Sequence, residues 1–176
     1  MSEAVPNELS RIVKLDQIDR LDADQRIAAS AEECTALARR FGFASLDSLE
    51  ARYGFRKQGK AIVAEGHLRA ALAQNCIATG EPVAETVDTP FTILFTPEGE
   101  EELSPESELE VDVSEADIMT YVDDRIDMGE AVAETLALSV TPFPRAPDAD
   151  DYLRKMGVIS EEQAGPFAAL AALKKS

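Results

Sequence analysis

IDMGEAVAETLALSVTPFPR, residues 126–145, is the stretch whose reading decides the fold. Met128, Val132, Leu136 and Val140 recur every four residues, with Ala133 and Ala137 beside them. That spacing lays an apolar stripe along one side of a helix. Asp127 is placed to act as N-cap, and Glu130 stands three residues on, where it would complete a capping box. Asp123, Asp124, Asp127 and Glu130 put negative charge at the positive end of the helix dipole. Pro142 and Pro144 stop the helix, because proline has no N–H and its ring clashes with the preceding turn. Leu138 and Ala131 lie off the stripe, which predicts a helix that is apolar over a wide arc and well buried. A buried helix late in the chain needs a surface to pack on, and the remaining sequence is expected to supply a curved sheet.

Upstream, residues 9–15 (LSRIVKL) alternate apolar and polar side chains and read as a first strand, and 24–29 as a second short one. Ser30 caps a helix over Ala31–Phe41, with Glu33 at the capping-box position and Gly42 as its C-terminal stop. Residues 46–56 alternate with imperfect phase; Gln58 and Gly59 make a turn; 61–72 alternate again. Residues 75–78 either continue that strand or start another. Thr79-Gly80-Glu81-Pro82 reads as a turn, and 83–95 as a further strand in which Pro90 demands a bulge or an edge. Short turns between neighbouring strands predict an antiparallel meander. Residues 109–113 alternate as a short strand, and 117–122 either pair or lead into the late helix. A short helix is expected around 151–156 and a last one from Pro166, with Lys174 and Lys175 at its negative end.

Composition sets the limits. The 176 residues suit one domain with a tail, and an apolar fraction of 45% is enough for a real core. Tryptophan is absent and rings make up only 6%, so aliphatic side chains must fill that core. The net charge of −17 is unevenly spread. Residues 97–130 hold 14 acids and one base, a balance of −13, which leaves −4 for the rest. The segment 97–117 has too little apolar content to order itself and is expected to loop into solvent. The domain expected is 1–145 with that acidic loop, followed by a tail over 146–176. No apolar run approaches the ~18–20 residues that span a bilayer. The N-terminus lacks a signal-peptide core, and the two cysteines are too far apart to suggest a disulfide framework. These features point to the cytoplasm.

Little in the chain suggests catalysis. His67 is the single histidine and has no nucleophile motif beside it, so it reads as a structural or surface residue. No phosphate-cradling glycine motif occurs, and no pair of the 34 carboxylates is singled out for acid–base work. No catalytic residue, metal site or cofactor is assigned. Two charged regions remain. Arg52, Arg56, Lys57, Lys60 and Arg69 lie close in sequence, interleaved with Tyr53, Phe55 and His67. Such a pattern suits RNA, through phosphate contacts and base stacking; it equally describes a solvated strand face whose rings turn into the core. Glu98, Glu100, Glu101, Glu102, Glu106 and Glu108 form either a solubilising loop or a docking segment for a basic partner. Cys76 reads as a buried, unreactive side chain.

The run Gln74-Asn75-Cys76-Ile77-Ala78-Thr79-Gly80-Glu81-Pro82-Val83 resembles the central motif of the YceD-like family, the large ribosomal RNA subunit accumulation proteins. Ile126-Asp127-Met128-Gly129, followed by Glu134, Leu136, Leu138 and Pro142, resembles the family's later helix. The Thr-Pro-Phe-Pro-Arg run and the PFAALAAL ending are similar to its proteobacterial branch. Cys76, Glu81, Pro82, Asp127 and Gly129 carry the likeness. Thr79 stands where relatives have a second cysteine, and no cysteine cluster follows Pro144, so the zinc site of cysteine-rich relatives does not carry over. The resemblance implies a non-enzymatic role in ribosomal RNA accumulation during ribosome assembly, with ribosomal RNA or a pre-ribosomal particle as partner. The alternative is an acidic module that captures a basic ribosomal protein without touching RNA. Neither implies an oligomeric state. The architecture expected is α+β: a curved antiparallel sheet, a partial barrel, packed around the 126–140 helix with flanking helices.

Overall fold

A computed structural model describes residues 7–99 and 116–158. In it the stretch 126–145 divides. Ile126 and Asp127 end a strand, β7 (Arg125–Asp127), and the helix begins only at Met128 (α2, Met128–Ser139). Before them come β1 (Ile12–Lys14), a 3-10 turn over Leu15–Arg20, β2 (Gln25–Ala28), α1 (Ala31–Phe41), β3 (Ser45–Gln58), β4 (Ala61–Asn75), β5 (Pro82–Pro97) and β6 (Asp117–Tyr121); α3 (Ala149–Lys155) follows. The chain forms two compact units. The larger is Met1–Gln74 with Ala84–Thr141, and the smaller is Asn75–Val83 with Pro142–Ser176. The strand expected at 109–113 and the helix expected from Pro166 lie outside the described residues. Among the described residues no helix is long and apolar enough to cross a membrane.

The larger unit is α+β. Its main sheet has five strands in the order β2-β3-β4-β5-β6, and β1 pairs with β7 in a separate two-stranded ribbon. The main sheet is not closed into a barrel. β2 pairs antiparallel with β3, and β3 with β4, but β6 runs parallel to β5 over Ile93–Pro97. The expected all-antiparallel sheet is therefore corrected to a mixed one. The reason is the connection: residues 98–116 exceed the dozen or so that a parallel return needs, so the short-turn rule fails at this one place.

Local chemistry accounts for much of the rest. Gly59, at φ 61°, supplies the left-handed residue of the two-residue turn that joins β3 to β4. The imperfect phase of 46–56 is a bulge between Leu46 and Ser48. Pro90 sits where β5 has outrun β6, whose pairing covers only residues 93–97, so its missing N–H leaves that edge undisturbed. β4 ends at Asn75, and Cys76 starts a turn rather than a new strand. Ser30 and Glu33 form the full capping box of α1, and Gly42 closes it at φ 73°.

α2 departs from expectation at both ends. Asp127 caps it, accepting from the N–H groups of Gly129 (3.0 Å) and Glu130 (3.3 Å), but Glu130 does not complete a box. Its carboxylate instead takes Arg40 of α1 at 2.8 Å. Met128, Ala131, Val132, Ala133 and Leu136 are fully buried, whereas Leu138 is 76% exposed, so the buried arc is wide at the start and absent at the end. Glu85 of β5 holds the exit, accepting from the Thr141 N–H at 2.8 Å and its hydroxyl at 2.9 Å. One core cluster joins α2 to Leu37 of α1 and to Leu49, Leu68, Val87, Ile93 and other sheet residues. Each such aliphatic side chain contributes about 1.5–3 kcal/mol by leaving water.

Candidate functional site

β3 and β4 are long, 14 and 15 residues, and twofold alternation turns one set of their side chains to the core and the other away from it. Glu50, Arg52 and Arg56 of β3 and Glu65, His67 and Arg69 of β4 share the outer set and are exposed. Register brings them into rows. Arg26 of β2 stands opposite Arg52, and Arg52 opposite His67; Glu50 stands opposite Arg69. At the usual ~4.8 Å between strands, the Arg26–Arg52–His67 row spans roughly 10 Å. Carboxylates flank it: Arg26 pairs with Glu50 at 2.9 Å, His67 Nε2 lies 3.1 Å from Asp88 of β5, and Arg69 Nε lies 3.2 Å from the same carboxylate. Arg52 has no ion pair among the described residues. A dip of about 310 Å³ lies at the centre, lined by Glu50, Ala51, Arg52, His67 and Arg69.

The five basic residues singled out from the sequence thus fall in two places. Arg52 and Arg69 are neighbours on the outer face, with Arg56 on the same face nearer the hairpin tip and paired with Glu65 at 2.9 Å. Lys57 and Lys60 instead line a separate cleft of about 850 Å³ at that tip, with Lys14, Tyr121, Asp124 and Arg125. There Lys57 pairs with Asp19, and the Lys60 carbonyl accepts from the Tyr121 hydroxyl at 3.0 Å. Tyr53 and Phe55 do not join the charged face. Tyr53 is 6% exposed, Phe55 is half-buried against the core, and their rings meet edge to face at 5.4 Å. Of the two readings of that interleaved stretch, the rings follow the one that turns them inward.

Arg26, Glu50 and Asp88 lie on the same face and escaped the sequence reading. Arg26 lies on a short strand whose pairing partner no local pattern names. Glu50 and Asp88 look like ordinary surface acids until register sets them beside arginines. Glu98 is exposed at the end of β5, its N–H donating to the Tyr121 carbonyl at 3.0 Å; Glu100, Glu101, Glu102, Glu106 and Glu108 lie outside the described residues.

The motif residues have structural places. Cys76 is buried, and its Sγ accepts from the backbone N–H of Ala146 at 3.2 Å and of Thr79 at 3.4 Å. Those bonds, Ala146 first and Thr79 next, hold its pKa down to about 7. The expected inert thiol is therefore buried but not ordinary. The Cys76 N–H donates to the Glu81 carbonyl at 2.7 Å, which shuts the turn just before Pro82 enters β5. Cys34, also free, has its thiol pushed up by burial. Asp127 reaches beyond its cap. It accepts from the Ser10 hydroxyl and the Arg11 N–H, both at 2.7 Å, and so seats the N-terminal run on the start of α2. Gly129 permits that approach. Among the described residues no group of three or more His, Cys, Asp or Glu is arranged to hold a metal ion.

The larger unit is a small α+β scaffold that presents a mixed-charge sheet face. A family model described as Large ribosomal RNA subunit accumulation protein YceD matches residues 64–174, and the chain belongs to that family. The family's name ties it to accumulation of the large ribosomal subunit RNA and describes no enzyme. No curated protein and no solved structure matches the chain.

Proposed function

We propose that the protein is a non-catalytic accessory factor of large-subunit ribosome assembly that binds RNA through the outer face of β2, β3 and β4. The observation that carries this is the Arg26–Arg52–His67 row. Like charges directly opposite across strands destabilise a sheet. Glu50 and Asp88 on this face pair with Arg26, His67 and Arg69, and Arg52 has no ion pair among the described residues, so the repulsion between Arg26 and Arg52 is relieved only on the Arg26 side. A local cost of this kind is expected where a site is kept for an anionic partner. Arg69 stands in the next row of the same face, and Arg56 offers a further phosphate contact toward the hairpin tip; Lys57 and Lys60, in their separate cleft, are not part of this face. Two free, buried cysteines fit the reducing cytoplasm where ribosomes are assembled.

The test is co-sedimentation of the full chain with pre-ribosomal particles in cell extract. Wild-type protein is expected in the particle fractions and Arg52→Glu in the soluble fraction. Ribonuclease treatment before sedimentation is expected to release the wild type. Retention of Arg52→Glu on the particles would overturn the assignment to this face, and retention after ribonuclease would point instead to a protein contact.

A further inference from the structure

Resting on that RNA reading, we infer that the outer sheet face is built for base-paired RNA, gripping phosphates and 2′-hydroxyls across the shallow groove of an A-form duplex. Two observations carry this further than RNA in general.

The first is where the rings lie. Sheets that bind single strands stack unpaired bases on exposed aromatic side chains. In the larger unit the Phe and Tyr rings nearest this face point the other way: Tyr53 and Phe91 are 6% and 7% exposed, and Phe55 packs against the same core. Gly66 enforces this, because the Phe91 ring and the Tyr53 Cβ fill the space that a Cβ at Gly66 would need, both 2.7 Å from it. Among the described residues the face therefore offers no Phe, Tyr or Trp ring to an unpaired base; its one ring, the His67 imidazole, lies against Asp88 at 3.1 Å.

The second is the alternation of charge. Arg26, Arg52 and Arg69 alternate with Glu50 and Asp88 over neighbouring positions. A face meant only for phosphates would gain from losing those acids. A duplex groove, however, presents both kinds of group: phosphate oxygens that accept, and 2′-hydroxyls that can donate. The carboxylates supply acceptors for the hydroxyls. They also hold the arginines in place without using them up, since Arg26 engages Glu50 through one terminal nitrogen and Arg69 engages Asp88 through Nε. The remaining guanidinium N–H groups stay available for phosphate.

The experiment is fluorescence anisotropy of the full chain with three probes of one sequence: a blunt RNA duplex of about 20 base pairs, somewhat longer than the ~16 that a known duplex-binding domain spans, the matching DNA duplex, and one unstructured RNA strand. The RNA duplex is expected to bind at least about tenfold tighter than either other probe. Arg52→Gln should weaken duplex binding and lower the salt slope by about one. Glu50→Gln should weaken binding of the RNA duplex while leaving the DNA duplex unchanged or tighter, because only RNA loses a hydroxyl contact. Equal or tighter binding of the single strand would overturn the inference and leave the RNA reading intact. Equal binding of the DNA duplex would do the same by removing the 2′-hydroxyl contacts. Binding of none of the probes would overturn the RNA reading itself.

Discussion

At Gly129 a missing side chain decides whether two distant parts of the chain can touch. A Cβ there would lie 2.6 Å from the Leu9 carbonyl oxygen, 2.8 Å from its carbon and 2.9 Å from the Arg11 nitrogen. All three are backbone atoms, so relief means lifting residues 9–11 off α2. Gly129→Ala is expected to cost about 1–3 kcal/mol, as overpacking of a tight contact does. For a chain of this size that lowers Tm by roughly 3 °C per kcal/mol, measurable by calorimetry. An unchanged Tm would mean that the N-terminal run is not seated there. The neighbouring Asp127 shows how far a sequence can be read at this scale. Its role as helix cap follows from its position alone. Its bonds to Ser10 and Arg11 do not, because the Arg11 partner lies 116 residues away. Arg52 is similar: its charge is plain in the sequence, and its lack of a carboxylate partner among the described residues is a matter of register.

Among the elements, α1 was legible in full, since its cap, its stop and its apolar face are all local. Ser30→Ala is expected to cost about 1 kcal/mol, the usual loss for a side-chain cap, read from a urea titration. Glu33 has a second task that no local pattern reveals. The Arg11 guanidinium first, and then the Ser30 N–H, hold its carboxyl below the ordinary carboxylate range. A depressed acid adds stability that is present above its ordinary pKa and is lost as pH falls through the lowered folded value. Glu33→Gln should therefore destabilise the protein at neutral pH and flatten its loss of stability in acid, followed by circular dichroism. In the smaller unit the same sign applies one pH range higher. The Cys76 thiol at about 7 lies below the ordinary value of ~8.5, so its thiolate adds stability fully present above that ordinary value and lost as pH falls through 7. The Ala146 and Thr79 amide protons should shift with a midpoint near pH 7 in nuclear magnetic resonance spectra. Cys76→Ser should abolish that titration, and a midpoint at the ordinary ~8.5 would show that the two bonds do not form in solution. The β5–β6 pairing was the element-scale miss. Strand direction follows from connection length only when the connection is short.

For the molecule as a whole, the α+β class was readable because periodicity switches between two and 3.6 along the chain. The charged face was not, because ion pairs such as Arg26–Glu50 and Arg69–Asp88 form between strands and are invisible to composition. Charge also sets opposite salt responses. A net −17, most of it within residues 97–130, repels itself, and the screening length falls from about 30 Å at 0.01 M salt to about 10 Å at 0.1 M. Thermal stability should rise with salt over that range, while affinity for the proposed RNA partner should fall, since binding phosphate releases counterions. A Tm that falls with salt would show that the fold depends more on its ion pairs than on relief of repulsion. Finally, the ribbon of β1 and β7 imposes an order on biosynthesis. The chain leaves the ribosome N-terminus first, yet among the described residues β1 finds its strand partner at Arg125–Asp127. The Leu9 end of the core can reach α1 through Arg11–Glu33 and Glu8–Arg40, but its seat against Asp127 and Gly129 waits until α2 has been translated. A nascent chain arrested near residue 120 should remain protease-sensitive, and one arrested with residue 141 clear of the exit tunnel should be protected. For this protein, the core of the larger unit closes only once α2 has emerged.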